Sequence, residues 1–307
     1  MQSIFFHANS KITKLMTRTT ILKLILPLLL CLPTLVGKAQ SSFPYPSIPD
    51  SLREPHQRAQ YLVSHYWDRY DFADTTLLHI QEIAELGFVN FVDLMRSDIA
   101  KDCAREGMLT FASRLLKPSQ DYFVDLAEKY LYDWASPMRN DSLYTIFADA
   151  LAETGHNDTR LEWLKQQLGK NAVGSAPADI SLTMRNGLHT KLSDIAADYV
   201  VVMFYQPDCE ECQQAVERLH GIHPICYNKA PTVCLAIYYG DDIDLWRKSA
   251  LAFPDLWLDC YNTDNSIIQH NTYHIRHTPS LYVIDQKRHK VVAKDLAAII
   301  TKHTVAL

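Results

Sequence analysis

The seven residues from Tyr199 to Tyr205 are all hydrophobic. A continuous hydrophobic run of this length is typical of a strand that is covered on both faces of a sheet. Similar runs follow at 232–239 and 280–285, and segments with a helical pattern separate them at 213–220 and 242–250. Strands that alternate with helices predict an α/β sheet with parallel strands at its centre. A last strand is expected near Val291.

The chain before this sheet has a helical pattern, from about residue 51 to residue 168. Hydrophobic side chains recur there every three to four residues, as on one face of a helix. The first such stripe consists of Leu62, Val63, Tyr66, Trp67 and Tyr70. Breaks at Lys117-Pro-Ser and Ser136-Pro-Met-Arg-Asn divide the later stretches. We expect a bundle of five or six helices whose aromatic side chains pack in the core rather than line a ligand site.

Two features divide the chain into parts. The small residues and the proline of Asn-Ala-Val-Gly-Ser-Ala-Pro at 171–177 are typical of a connector, which places a boundary near residue 172. At the N-terminus, basic residues precede a hydrophobic run from Leu24 to Val36, and Gly37 and Ala39 follow it, as in a secretory signal peptide. We therefore predict a signal peptide at 1–39, an all-α helical domain at 40–171 and an α/β domain at 172–307.

The hydrophobic run at the N-terminus also predicts where the protein is located. It has about 13 residues and contains two prolines, whereas a spanning helix needs about 20 apolar residues. A retained membrane anchor is therefore disfavoured, and we expect export to the periplasm or the extracellular space with no stable membrane span. The 30 basic and 35 acidic residues give a net charge of -5 and are scattered along the chain, so no nucleic-acid partner is expected.

Export would leave six of the seven cysteines in a compartment that permits disulfides, because Cys31 would leave with the signal peptide. The pairing of Cys103, Cys226, Cys234 and Cys260 stays open at this point. Cys226 could bridge to Cys234 across a loop, but Cys234 lies in a hydrophobic strand where a buried free thiol is equally ordinary.

Cys209 and Cys212 lie in the turn that joins the strand at 199–205 to the helix after it. A cysteine at a helix N-terminus has its thiolate favoured by unpaired N–H groups and by the helix dipole, so Cys209 is the expected nucleophile. Cys212, one helical turn further on, could resolve a mixed disulfide. The alternatives are a static bridge and half of a zinc site with His220 and His223, although the spacing to those histidines is short for a zinc finger.

Thr278-Pro279 comes directly before the strand at 280–285. Proline cannot donate a hydrogen bond to the ladder, and one use of such a position is a cis peptide bond in a tight turn.

The segments 200–212 and 275–282 resemble the two signature segments of the thioredoxin superfamily. The long interval between Cys212 and Pro279 is most similar to the exported TlpA/ResA-like branch, which carries an extra strand-helix insertion, and the resemblance covers residues 172–307. It implies a redox-active pair at Cys209 and Cys212, a cis Pro279 that faces the pair, and a backbone at Thr278 that pairs with the substrate chain. It implies no cofactor and no metal. The partners would be a protein thiol or disulfide substrate and a further, unidentified redox protein.

The helical part also carries a resemblance. Tyr61-Leu-Val-Ser-His-Tyr-Trp and Ser136-Pro-Met-Arg-Asn are similar to an uncharacterised domain that precedes thioredoxin-like domains in secreted Bacteroidetes-type proteins. That resemblance implies no activity.

The chain departs from the thioredoxin pattern around the first cysteine. Asp208 replaces the family's tryptophan, and Glu210 and Glu211 stand between the cysteines. Three carboxylates are expected to raise the pKa of the Cys209 thiol by like charge, which predicts a reducing or slow exchanger rather than a strong oxidase. Met203 occupies the position of the family's buried carboxylate.

His277 is the expected substitute for that carboxylate, either as the group that moves the proton or as a positive charge that lowers the Cys209 pKa; otherwise it is a partly exposed loop residue. The sequence thus predicts an exported thiol-disulfide oxidoreductase. One alternative is a binding protein with a static Cys209–Cys212 bridge. The other, a thiol peroxidase of the peroxiredoxin type, is disfavoured because Gln206 stands where that class has threonine.

Overall fold

A computed structural model of the chain describes residues 42–220, 226–227, 230–249 and 253–294. The predicted signal peptide at 1–39 lies outside these residues, as does His223.

The first part of the described chain is helical, as the sequence predicts, and six α-helices span residues 55–169. They are α1 Pro55–His65, α2 Ala84–Arg96, α3 Ala104–Ala112, α4 Lys117–Ala127, α5 Asp141–Glu153 and α6 Thr159–Gly169. Short 3-10 turns lie at Thr75–His79 and Lys101–Cys103, and α4 continues into a π-helical turn at Glu128–Tyr132. We call residues 55–169 the helical half.

The helix ends follow from local sequence. Pro118 lies in the first turn of α4, where its missing N–H costs no hydrogen bond. The side chains of Asn140 and Asp158 cap α5 and α6 by accepting hydrogen bonds from Leu143 N and Leu161 N.

The first predicted stripe is only partly helical, because α1 ends at His65. Tyr66, Trp67 and Tyr70 lie in the turns that follow, yet all three are buried. Trp67 stacks on Phe111 at 4.6 Å between ring centroids, so the aromatic core of the helical half forms as expected.

The second part of the described chain is a mixed sheet with three short helices. Its strands are β1 Ser181–Met184, β2 His189–Lys191, β3 Tyr199–Tyr205, β4 Cys226–Tyr227, β5 Ala230–Tyr238, β6 Trp257–Asn262, β7 Ser280–Asp285 and β8 Lys290–Lys294. The helices are α7 Glu210–His220, α8 Ile243–Lys248 and α9 Ser266–His270, and a 3-10 turn lies at Leu192–Asp194. The strand order is β2-β1-β6-β5-β3-β7-β8, with β4 paired to β5. We call residues 181–294 the sheet half.

The predicted parallel centre is confirmed, because β5 pairs in parallel with both β3 and β6. The remaining pairs in the sheet are antiparallel. The bounds of β3 and β7 agree with the hydrophobic runs, and β8 contains Val291. The sequence missed β6 and the β1–β2 hairpin, because these strands are short or carry polar residues on half-buried faces.

Hydrophobic side chains cover both faces of β3, as its composition requires. Val201, Met203 and Tyr205 pack on the face where α7 lies, together with Cys212. Val200, Val202 and Phe204 pack on the opposite face.

The described residues from Pro44 onward belong to one compact unit. The boundary expected near residue 172 falls in the connector between α6 and β1, and it stays a prediction. Over the described ranges, no helix has both the length and the hydrophobicity that crossing a membrane requires.

Candidate functional site

Cys209 and Cys212 form a disulfide at the end of β3, where α7 begins. Their Cα atoms are 5.2 Å apart. Cys212 is fully buried against the sheet, whereas Cys209 is half-buried. Cys209 is therefore the more accessible residue of the pair.

The backbone at the start of α7 is arranged to stabilise negative charge on Cys209. The N–H of Cys212 points at Cys209 Sγ, with 3.0 Å between the nitrogen and the sulfur. A thiolate at this sulfur would accept that hydrogen bond and would lie at the positive end of the helix dipole.

Three carboxylates near the pair act in the opposite sense, because like charge disfavours a thiolate. They belong to Asp208, Glu210 and Glu211, and all three residues are exposed. Solvent and salt screen exposed charges, so their effect on Cys209 is weaker than sequence proximity alone suggests.

The peptide bond between Thr278 and Pro279 is cis, in the arrangement that the resemblance implies. Cys209 Sγ lies 3.6 Å from the carbonyl oxygen of Thr278, and because the sulfur is part of a disulfide this is a packing contact. The hydroxyl of Tyr239 is 2.9 Å from that of Thr278 and fixes its side chain. The structure therefore brings Cys209, Cys212, Thr278 and Pro279 together, while their catalytic and binding roles stay predictions.

His277 lies beside this group and is half-buried. Its ring stacks on the indole of Trp134, with 4.6 Å between centroids and 10° between planes. The sequence did not indicate this contact, because the aromatic side chains of the helical half are expected in its core, whereas Trp134 is 50% exposed. Whether His277 moves a proton stays a prediction.

The segment 274–279, which we call the cis-Pro segment, is fastened to the helical half. Arg276 donates to both carboxylate oxygens of Asp141, at 2.7 and 2.9 Å, and to the carbonyl oxygen of Tyr132 at 2.8 Å. The hydroxyl of Tyr132 is 2.7 Å from His274 Nε2. These bonds fix the backbone that adjoins Cys209.

The contact between His274 and Tyr132 joins two neutral groups at pH 7. Burial lowers the pKa of His274 to about 4, and the nearby positive charges of Arg276 and Lys294 act in the same direction. Burial also raises the pKa of Tyr132 to about 12. The hydrogen bond is therefore kept across the physiological pH range.

The sheet does contain a partly buried carboxylate, but not beside the cysteines. Asp259 on β6 is in register with Ala236 on β5 and so with Met203 on β3. Two strand spacings of about 4.8 Å place it roughly 10 Å from the Met203 position. It accepts hydrogen bonds from Tyr205 at 2.8 Å and from Trp246 at 3.1 Å, and it pairs with Arg185, so it joins β6 to β3, to α8 and to the residue after β1.

The bridge considered between Cys226 and Cys234 is wrong, because Cys234 is a buried free thiol, as are Cys103 and Cys260. Burial raises the pKa of Cys234 to about 12, which makes it unreactive at neutral pH.

The zinc alternative is weakened, because the sulfur atoms of Cys209 and Cys212 are bonded to each other. Its second histidine, His223, lies outside the described residues. Within the described ranges, no group of three or more His, Cys, Asp or Glu residues is placed to hold a metal ion.

Comparison with solved structures shows where this architecture recurs. A thioredoxin-like protein from Bacteroides caccae aligns over 87% of this chain and 99% of its own length, with 29% identity and a TM-score of 0.78. A conserved protein of unknown function from Bacteroides fragilis aligns over 42% of this chain and 96% of its own, with 26% identity and a TM-score of 0.39. The thioredoxin domain of a thiol-disulfide oxidoreductase from Bacteroides vulgatus aligns over 44% and 96%, with 21% identity and a TM-score of 0.38. The fold assignment rests on the Bacteroides caccae protein, whose likeness extends over both the helical and the sheet half.

No curated protein sequence is significantly similar to this chain. One family matches its N-terminal part: the domain of unknown function DUF5106 covers residues 8–168, more than half of the 307 residues. A thioredoxin-like sheet half follows this match. This is the order expected from the resemblance of the helical part to a domain that precedes thioredoxin-like domains. The chain therefore belongs to the DUF5106 family, in an arrangement that joins this helical domain to a thioredoxin-like fold.

Proposed function

We propose that the protein is an exported thiol-disulfide oxidoreductase that exchanges disulfides of other proteins through Cys209 and Cys212. One observation carries the proposal: a reachable Cys209 at a helix N-terminus, bonded to a buried Cys212 and packed against a cis-Pro segment. A bridge that served stability alone would not require one reachable sulfur with an N–H directed at it.

The reaction follows from this geometry. In the reduced protein, the Cys209 thiolate attacks one sulfur of a substrate disulfide, and the other substrate sulfur leaves as a thiolate and takes up a proton. The resulting mixed disulfide joins Cys209 to the substrate. Cys212 then loses its proton and attacks Cys209 Sγ, which closes the internal disulfide and releases the second substrate sulfur as a thiol. Two electrons pass from the cysteine pair to the substrate, and a separate redox protein must return them.

We further propose that the pair works on the reducing side. The carboxylates of Asp208, Glu210 and Glu211 oppose the thiolate, and a poorly stabilised thiolate favours the oxidised form of the pair. The N–H of Cys212 acts in the opposite direction. We expect a reduction potential between about -180 and -270 mV, and a value near that of DsbA, about -120 mV, would contradict the assignment.

Export is the second part of the proposal. It rests on the basic and hydrophobic segments within residues 1–39, which are typical of a secretory signal peptide. In such a compartment a redox-active disulfide persists without continuous reduction by cytosolic thiols.

Trapping of the mixed disulfide tests the exchange chemistry. Cys212→Ser removes the resolving sulfur, so incubation with an oxidised protein substrate such as insulin is expected to leave a covalent adduct on Cys209. The matched variant Cys209→Ser is expected to form none, because Cys212 is buried. An adduct on neither variant would favour a binding protein with a static bridge.

A further inference from the structure

A cleft of about 620 Å3 lies between the helical half and the cis-Pro segment, whose Thr278 contacts Cys209. Both parts of the chain contribute to its walls. The residues that line it include Glu128, Tyr132, Asp133, Trp134, Ile275 and Arg276. Its volume falls within the roughly 300–1,000 Å3 that ligand-binding sites in proteins span.

Trp134 is the large aromatic surface of this cleft. The ring of His277 covers one face of the indole in parallel stacking, and the side chain as a whole is still 50% exposed. The exposed part of the side chain lines the cleft. An exposed tryptophan held in one orientation is the kind of surface that anchors a binding partner, because it offers a large contact area at a small entropy cost.

The position of the cleft relative to Cys209 limits what can enter it. Thr278, whose carbonyl oxygen is 3.6 Å from Cys209 Sγ, is adjacent in sequence to His277, which stacks on Trp134. A substrate whose sulfur reaches Cys209 must bring its own chain past Thr278. Since an extended chain advances about 3.3 Å per residue, a few residues beyond the substrate cysteine are enough to reach Trp134.

The charges of the cleft do not suit a small anion. Arg276 is already paired with both carboxylate oxygens of Asp141, and Lys129 is paired with Glu85 at 2.5 Å. A phosphate or a free carboxylate would have to break one of these pairs, and it would also meet the carboxylate of Asp133. A polypeptide segment, which carries no net charge on its backbone, has no such cost.

We propose that this cleft binds the polypeptide segment that flanks the reactive cysteine of the substrate, with one of its side chains packed on the exposed part of Trp134. The proposal rests on the proposed exchange function and adds a role for the helical half: it supplies part of the substrate-binding surface. Arg276, His274 and their partners keep the cleft walls in place before the substrate arrives, which reduces the entropy cost of binding.

The test compares two disulfides that release the same reporter thiol. One is a peptide of about ten residues whose single central cysteine carries the reporter, long enough at ~3.3 Å per residue to enter the cleft on either side. The other is cysteamine linked to the same reporter, which is too small to reach Trp134. Both are assayed, in excess, with the wild-type protein, Trp134→Ala, Trp134→Phe and Trp163→Ala, each reduced beforehand with dithiothreitol that is then removed, so that the rates describe one oxidation of the cysteine pair. Trp163 lies on α6 and is 53% exposed, so it is a matched control for the loss of one exposed indole.

We expect Trp134→Ala to lower kcat/KM for the peptide by about three-fold to ten-fold, mainly through KM, as the loss of one aromatic contact predicts. The loss on the cysteamine disulfide should be smaller, because that substrate does not reach Trp134, and the far-UV circular dichroism of the variant should match that of the wild type. Trp134→Phe should recover most of the loss, and Trp163→Ala should match the wild type with both substrates.

Equal kcat/KM of Trp134→Ala and the wild type on the peptide would overturn the proposal. An equal loss on both disulfides would also overturn it, because Trp134 would then act on the cysteine pair or on the fold. A wild-type protein that reduces neither disulfide would contradict the exchange function itself.

Discussion

The ion pair between Arg276 and Asp141 is expected to contribute to stability, because Arg276 is nearly buried and the Asp141 side chain is only 31% exposed. The Arg276 side chain is only 10% exposed, and it donates to two carboxylate oxygens and one carbonyl oxygen. Asp141→Asn removes the negative charge and one of the two acceptors, while it keeps the size of the side chain. Loss of one partner of a buried pair costs about 3–5 kcal/mol, and a hydrogen bond to a charged group is worth about 1.5–3 kcal/mol. Since the amide keeps one acceptor, we expect a fall of about 2 kcal/mol in the free energy of unfolding.

Urea unfolding followed by far-UV circular dichroism measures this difference. The control is Glu153→Gln, the same kind of change in the same helix, α5. Glu153 pairs with Arg105 at 2.6 Å, but the two side chains are 45% and 66% exposed, so the expected loss is at most about 0.5 kcal/mol. A loss below about 0.5 kcal/mol for Asp141→Asn as well would refute the reasoning that this pair fastens the cis-Pro segment to the helical half.

Three further predictions concern His274, the buried thiols of Cys234 and Cys260, and Tyr239. The folded protein holds His274 neutral down to about pH 4, whereas the unfolded chain takes up a proton near pH 6.5. The free energy of unfolding should therefore fall by roughly 2 kcal/mol as the pH falls from about 6.5 to about 4, allowing for partial exposure. In urea titrations, His274→Gln should remove this part of the pH dependence. Iodoacetamide at pH 7.5 should not label Cys234 or Cys260 in the native protein, and mass spectrometry that finds either one modified before unfolding would contradict their burial. Tyr239→Phe removes the hydrogen bond to Thr278. It should lower kcat/KM for exchange with a peptide disulfide by about two-fold to ten-fold, the equivalent of roughly 0.5–1.5 kcal/mol, and leave the reduction potential unchanged.

The features that the sequence predicted well depend on neighbouring residues. The hydrophobic run at 199–205 is typical of a central strand, and the turn after it places Cys209 at the start of a helix. Proline at 279, directly before the run at 280–285, indicated a special peptide bond for the same local reason. These signals require no knowledge of which distant residues meet.

The features that the sequence did not predict arise from contacts between segments far apart along the chain. Trp134 has the spacing of a core residue in its own helical stretch, and only its position beside His277 brings its exposed side chain to the cis-Pro segment. The pair between Asp141 and Arg276 gives no local pattern either, since each residue looks like an ordinary surface charge. The screening of the three carboxylates around Cys209 also depends on exposure, which sequence spacing does not determine.

The equilibrium reduction potential of the mature protein tests the central claim most directly. The protein is brought to equilibrium in a series of glutathione or dithiothreitol buffers, the free thiols are trapped, and the states of Cys209 and Cys212 are read by mass spectrometry. We predict a reversible two-electron couple between about -180 and -270 mV that involves these two cysteines. A pair that resists reduction below about -300 mV would be a structural bridge, and the exchange function would be wrong.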